Sequence, residues 1–164
     1  MNRKSLIREL ERQFEESRQN FREGKGIPLK NFDWGLPTPL IVAEASGNNY
    51  CAAETWTPVE IEIDPRVSEQ LSQIYTYITY ELTNEPAAYT LQGLIKQKLG
   101  NVSYFPDNGT SISVFADEFQ EKFANIQRVL VKNYLILYEH HQNEKLAYVI
   151  NVFHQTQNYA TVFR

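Results

Sequence analysis

Apolar positions between residues 5 and 22 recur near the helical period: Leu6, Leu10, Phe14 and Phe21, with Ile7 beside them, while Arg and Glu fill the positions between. This predicts an amphipathic helix with a narrow apolar stripe. Its i, i+4 charge neighbours are partly attractive and partly repulsive, so the helix needs a surface to lie against. Gly24 and Gly26 end it and Pro28 blocks its continuation. Residues 27–45 hold three prolines and a glycine, yet also Phe32, Trp34, Leu36 and the strand-like run Leu40 to Val42. A segment so rich in proline suits an extended arm docked by its apolar side chains rather than a central strand.

Residues 46–56 are mostly small and polar, without periodicity, and predict a linker between a segment 1–45 and a domain 57–164. Beyond it the period becomes two: Val59, Ile61 and Ile63 alternate with Glu60 and Glu62, as in a strand with one buried face. Asp64-Pro65 then supplies an N-cap and a first helical residue. Val67, Leu71, Ile74, Tyr75, Ile78 and Leu82 give one helix, and Ala88, Leu91, Leu94, Ile95 and Leu99 a second that ends at Gly100, with Asn84-Glu85-Pro86 between them. So short a joint predicts an antiparallel helical hairpin. The PDNGT stretch at 106–110 reads as a turn, and Phe115, Phe119 and Phe123 at i, i+4 spacing suggest a short helix. Strands are expected over 126–131, 134–139 and 146–153, with His140 and His141 in the connecting turn. The expected order is β-α-α-β-β-β with an antiparallel sheet, an α+β architecture.

Charge changes the picture of partners. Residues 1–30 carry eight Lys/Arg against five Asp/Glu, 31–55 none against three, and 56–164 eight against twelve. An acidic domain is not a general binder of polyanions, so RNA chemistry would need a local basic cluster. No apolar run approaches the length of a membrane span, and the first residues lack an unbroken apolar stretch, so a cytoplasmic protein without a membrane partner is expected. Cys51 is the single cysteine. With no P-loop, GxGxxG, zinc-ligand spacing or Ser-His-Asp arrangement, neither a nucleotide nor a metal cofactor is expected.

The stretches from Glu60 to Gly109, Arg128 to Glu139 and Val149 to Tyr159 resemble the RelE/ParE toxin superfamily. The resemblance rests on Tyr77-Ile78, Pro86-Ala87-Ala88, Phe105-Pro106, and Arg128 with Tyr134 and Tyr138. Residues 16–29, with Glu16-Ser17 and then Gly24-Lys25-Gly26-Ile27-Pro28-Leu29, resemble the toxin-binding tail of Phd/RelB-type antitoxins. The resemblance implies a toxin of a bacterial type II toxin–antitoxin system, neutralised by an antitoxin segment in the same chain. It implies either a ribosome-dependent mRNA endoribonuclease, the reading favoured on sequence, or a non-enzymatic inhibitor of DNA gyrase; an inactive relic is the third alternative.

For cleavage of mRNA, a ribose 2′-hydroxyl must be activated and phosphate charge stabilised. Arg128 and Lys132 are the candidate cations, His154 the candidate acid or base, and Tyr159 a candidate stacking residue. Three of these also have a structural reading: an ion pair for Arg128, a structural or partner contact for His154, and packing on the sheet for Tyr159. The candidate antitoxin-arm contacts are Leu10, Phe14, Phe21, Phe32, Trp34 and Leu36, docked either in cis or by exchange within a homodimer.

Overall fold

The computed structural model describes residues 2–32, 34, 58–156, 162 and 163. Leu36, the run 40–42, the linker, Cys51 and Tyr159 lie outside them. The N-terminal helix, α1, spans Arg3–Arg22, and the Asn2 side chain caps it by accepting from Ser5 N. The chain then turns through Gly24, whose φ of 71° is one that glycine adopts freely, into a two-residue strand, β1 (Ile27–Pro28). After the arm come β2 (Glu60–Ile63), α2 (Pro65–Thr76), α3 (Glu85–Tyr104), β3 (Thr110–Ser111), β4 (Ile126–Val131), β5 (Tyr134–His141) and β6 (Leu146–His154).

The strands form one six-stranded sheet in the order β1-β2-β6-β5-β4-β3. Strands β4, β5 and β6 pair antiparallel, as the short connections require. The expectation of a wholly antiparallel sheet is corrected at β2, which lies parallel to β6, so the sheet is mixed. The chain between these two strands is long enough to cross over the sheet, and the crossover contains the α2–α3 hairpin. Asp64 caps α2 by accepting from Arg66 N at 2.9 Å, and Asn84 caps α3 by accepting from Ala87 N at 3.2 Å. Between the helices, residues 77–81 form a π turn, and Leu82 N donates to Tyr77 O.

Both faces of the sheet are covered. One carries α2 and α3, whose Val67, Leu71, Tyr75, Leu91, Ile95 and Leu99 meet Ile61, Ile63, Ile136, Tyr138, Val149 and Val152. The other carries α1, whose Leu6, Ile7, Leu10 and Phe14 meet Ile126, Leu135, Leu137, Tyr148, Ile150 and Phe153, with Ile112, Phe119, Phe123 and Phe163 closing the side. The strand parity that separates these two sets breaks once. Leu137 pairs with Asn151 and Tyr138 with Val149, leaving Ile150 as an extra bulged residue. A one-residue bulge reverses the facing of everything after it.

Three local expectations are corrected. Helix α3 does not stop at Gly100 but runs to Tyr104, because Val102 is buried and the Ser103 hydroxyl donates to Val59 O at 2.6 Å. Phe115, Phe119 and Phe123 do not share a helix; two 3₁₀ turns, Ile112–Val114 and Glu121–Phe123, bring Phe119 and Phe123 to the α1-side core and Phe115 to its margin. His140 and His141 lie within β5, paired with Ala147 and Leu146, and the turn is confined to the four residues that follow.

Candidate functional site

Residues 2–32 and Trp34 grip the rest of the chain on both faces. On one face Leu10 and Phe14 are fully buried, and the Phe14 ring meets Phe123 edge-on at 5.3 Å and Phe119 at 5.8 Å. Fully burying one such side chain contributes roughly 1.5–3 kcal/mol, so the apolar stripe alone is a substantial anchor. Phe21 stacks flat on His141, centroids 4.1 Å apart, with Tyr148 edge-on at 5.2 Å. The chain then rounds the sheet edge at Gly26. A side chain there would drive into Glu62, and its Cβ would stand 2.7 Å from Tyr148 Cε2, so only glycine passes. Strand β1 pairs with the outer edge of β2, hiding an edge that would otherwise offer unpaired backbone groups. On the far face Phe32 and Trp34 bury in the hairpin-side core, Trp34 under Lys96 Nζ at 5.3 Å. Leu10, Phe14, Phe21, Phe32 and Trp34 thus all pack against the rest of the chain, and Leu36 lies outside the described residues.

A polar seam runs beside the apolar stripe of α1. Arg66 donates from Nη2 to Gln13 O at 3.2 Å, to Ile150 O at 3.3 Å and to Ser17 Oγ, and from Nη1 to Asn151 Oδ1 at 3.3 Å. Asn20 donates to both carboxylate oxygens of Asp64, at 3.4 and 3.3 Å, and Tyr148 OH donates to the same carboxylate at 3.1 Å. Burial, and then the Asp64 charge beside it, push the Tyr148 phenol well above its ordinary range. Further along, Arg18 pairs with the nearly buried Glu139 at 2.7 Å and lies over the Phe123 ring. His141 Nε2 stands 3.4 Å from the same Glu139, while burial holds its imidazole below the ordinary histidine value. Sequence reasoning missed this seam. The available signal was Asn151, a lone polar residue in the otherwise apolar strand LAYVINVF, together with Ser17 three residues after Phe14.

The candidate catalytic residues are dispersed. Arg128 lies on the α1 face, its guanidinium 4.3 Å from the Phe115 ring centroid and donating to Phe163 O at 3.2 Å. Burial lowers its pKa, and its Nε is buried without a hydrogen bond. His154 lies beyond the bulge and therefore on the opposite face, edge-on to Tyr134 at 4.9 Å with Nδ1 2.7 Å from Thr156 Oγ1. It borders a cleft of about 600 Å³ lined by Gln70, Gln73, Tyr77 and Tyr134 among others. Lys132 sits in the exposed β4–β5 turn, at the same end of the sheet as His154 because Val131 pairs with Tyr134 and Tyr134 with His154. Among the described residues, no cluster of His, Cys, Asp and Glu is arranged to hold a metal ion, and no helix is long and apolar enough to cross a membrane.

The family model described as "ParE toxin of type II toxin-antitoxin system, parDE" matches residues 61–159. The chain belongs to the ParE toxin family. The match takes in β2, the α2–α3 hairpin and the three long strands, which are the elements that form the two faces. As a type II toxin it implies an antitoxin partner, and the matched region begins after the first 34 residues, leaving α1 and β1 outside the ParE domain. No curated protein and no solved structure matches the chain.

Proposed function

We propose that the chain is a ParE-family toxin in its neutralised state, with residues 2–34 taking the place of a separate antitoxin and a protein, DNA gyrase by the family resemblance, as its target. The observation that carries the neutralisation reading is the course of the N-terminal segment: it covers one sheet face with α1, extends the sheet edge with β1 and pins the opposite face with Phe32 and Trp34. A protein target rather than mRNA is supported by the separation of Arg128 from His154 on opposite faces of the sheet. The exposed aromatic strip at the hairpin tip, Tyr77 and Tyr80 with Leu82, has the composition of a protein-binding patch. The endoribonuclease reading has one observation in its favour: His154 opens onto a cleft lined by Tyr134 and three glutamines, Gln13, Gln70 and Gln73, at the same end of the sheet as Lys132.

The test expresses the full chain and a Leu10→Asp/Phe14→Asp variant that loosens α1. Arrested growth in the variant alone, with altered plasmid supercoiling and intact mRNA, supports the proposal. Mapped mRNA breaks that vanish with His154→Ala, a change expected to lower acid–base chemistry by about 10²-fold, would replace the gyrase reading by the nuclease one. A soluble variant that leaves growth untouched refutes neutralisation in cis.

A further inference from the structure

Among the described residues five polar side chains are buried, and four of them, Ser17, Asp64, Glu139 and Asn151, lie along the contact between α1 and the ParE domain. A core assembled for stability alone has little use for such groups, since apolar residues of similar volume serve as well or better. Their arrangement has a direction. On the domain side the groups are oriented without α1: Asp64 accepts from Arg66 N and Tyr148 OH, Arg66 donates to Ile150 O and Asn151, and Gln70 donates to Asn151 at 3.1 Å. What the helix adds is a single row at i, i+4 and i+7: Gln13, Ser17 and Asn20, meeting Asn151, Arg66 and Asp64 in turn.

We propose that the seat under α1 is a selective receptor: Arg66, held by Asp64 and Asn151, admits a helix carrying Gln, Ser and Asn in that row and rejects helices that offer only the apolar stripe. Amphipathic helices in general share an apolar stripe, and burial of that stripe alone separates them poorly. A helix with apolar side chains in the row would bury Arg66 and Asp64 short of partners, a built-in penalty against the wrong occupant. The partner class is therefore a helical peptide with this polar row, whether from the same chain or from another copy. The inference rests on α1 being the neutralising helix.

The test uses the full chain with Gln13→Leu, Ser17→Ala and Asn20→Leu combined, in the native and the Arg66→Lys backgrounds, followed by urea unfolding. The row substitution should lower the folding constant by about 100-fold or more in the native background, on the scale of hydrogen bonds lost to charged groups. With Arg66→Lys, which removes the fork that reaches Ser17 and Asn151, the same substitution should cost less than about 10-fold. Equal losses in the two backgrounds, or no loss in either, overturn the proposal. A labelled peptide of residues 2–32 should bind the row-substituted chain at least about 10-fold more tightly than the row-substituted peptide does, and equal binding likewise overturns it. If neither peptide displaces the resident helix, the unfolding comparison decides. A row-substituted chain that unfolds as expected but does not arrest growth supports the selectivity while refuting neutralisation.

Discussion

The sheet meets its two cover layers in different ways. Under α2 and α3 the contact is mostly aliphatic, Val67, Leu71, Leu91, Ile95 and Leu99 against Ile61, Ile63, Ile136 and Val149, with Tyr75 and Tyr138 among them, and apart from Phe32 and Trp34 the layer is contributed by the ParE domain itself. Under α1 the contact is aromatic at its centre, Phe14 among Phe119 and Phe123, and bordered by Arg66, Asp64, Arg18 and Glu139. The first is a core in the ordinary sense. The second has an apolar centre with a charged, hydrogen-bonded margin, the anatomy of an interface between partners. On the proposed reading, α1 is a bound ligand that shares a chain with its receptor, and its hold depends on a few specific side chains.

Substitutions can break this comparison. Phe14→Ala should show the largest effect, a loss of about 3–5 kcal/mol in urea unfolding, because the ring is fully buried among aromatic neighbours. Ile95→Ala on the hairpin side should cost a similar order but leave α1 amides as protected, relative to global unfolding, as in the native chain. Next comes Arg18→Ala, which strands Glu139 in a nearly buried position and should cost about 3 kcal/mol. Adding Glu139→Gln should recover most of that loss, and Arg3→Ala, which breaks the exposed pair with Glu118, should cost less than about 1 kcal/mol. Gly26→Val should cost about 1–3 kcal/mol by overpacking the sheet edge against Glu62 and Tyr148.

Mild acid should give the smallest change. Burial depresses the His141 pKa below the usual 6.5, against the pull of Glu139 and Glu144 and with Arg18 and His140 acting in the same sense as burial. The unfolded chain therefore takes up this proton first. The contribution is fully present above the unfolded value and is lost as pH falls through the folded one. Unfolding midpoints measured between pH 7.5 and 5 should drop for the native chain and drop less for His141→Gln.

Local periodicity carried much of the architecture. The stripe of α1, the hairpin of α2 and α3 and the three long strands each repeat an apolar pattern that one face of an element must bury, so their presence was legible before any contact was known. Long-range pairing was not. Nothing local in Glu60–Ile63 announces a parallel partner 86 residues away in β6, and the stripe of α1 called for a surface without saying which one. Gly100 carried a stop signal that the packing of Val102 overrode. Arg128 and His154 are separated for a single geometric reason. Without the bulge at Ile150, strand parity would place His154 on the same face as Arg128; the extra residue turns it to the other. Tyr159 and Leu36 lie outside the described residues.

The measurement that bears most directly on the account is native-state hydrogen exchange of the full chain, residue by residue, across α1 and the α2–α3 hairpin. If α1 is a bound partner, its amides should exchange through an opening that leaves the hairpin closed, at a free energy below that of global unfolding and lowered further by the Gln13, Ser17 and Asn20 substitutions. If α1 and the hairpin exchange together, at the global free energy and with the same response to those substitutions, then α1 is an ordinary part of one core and the account is wrong.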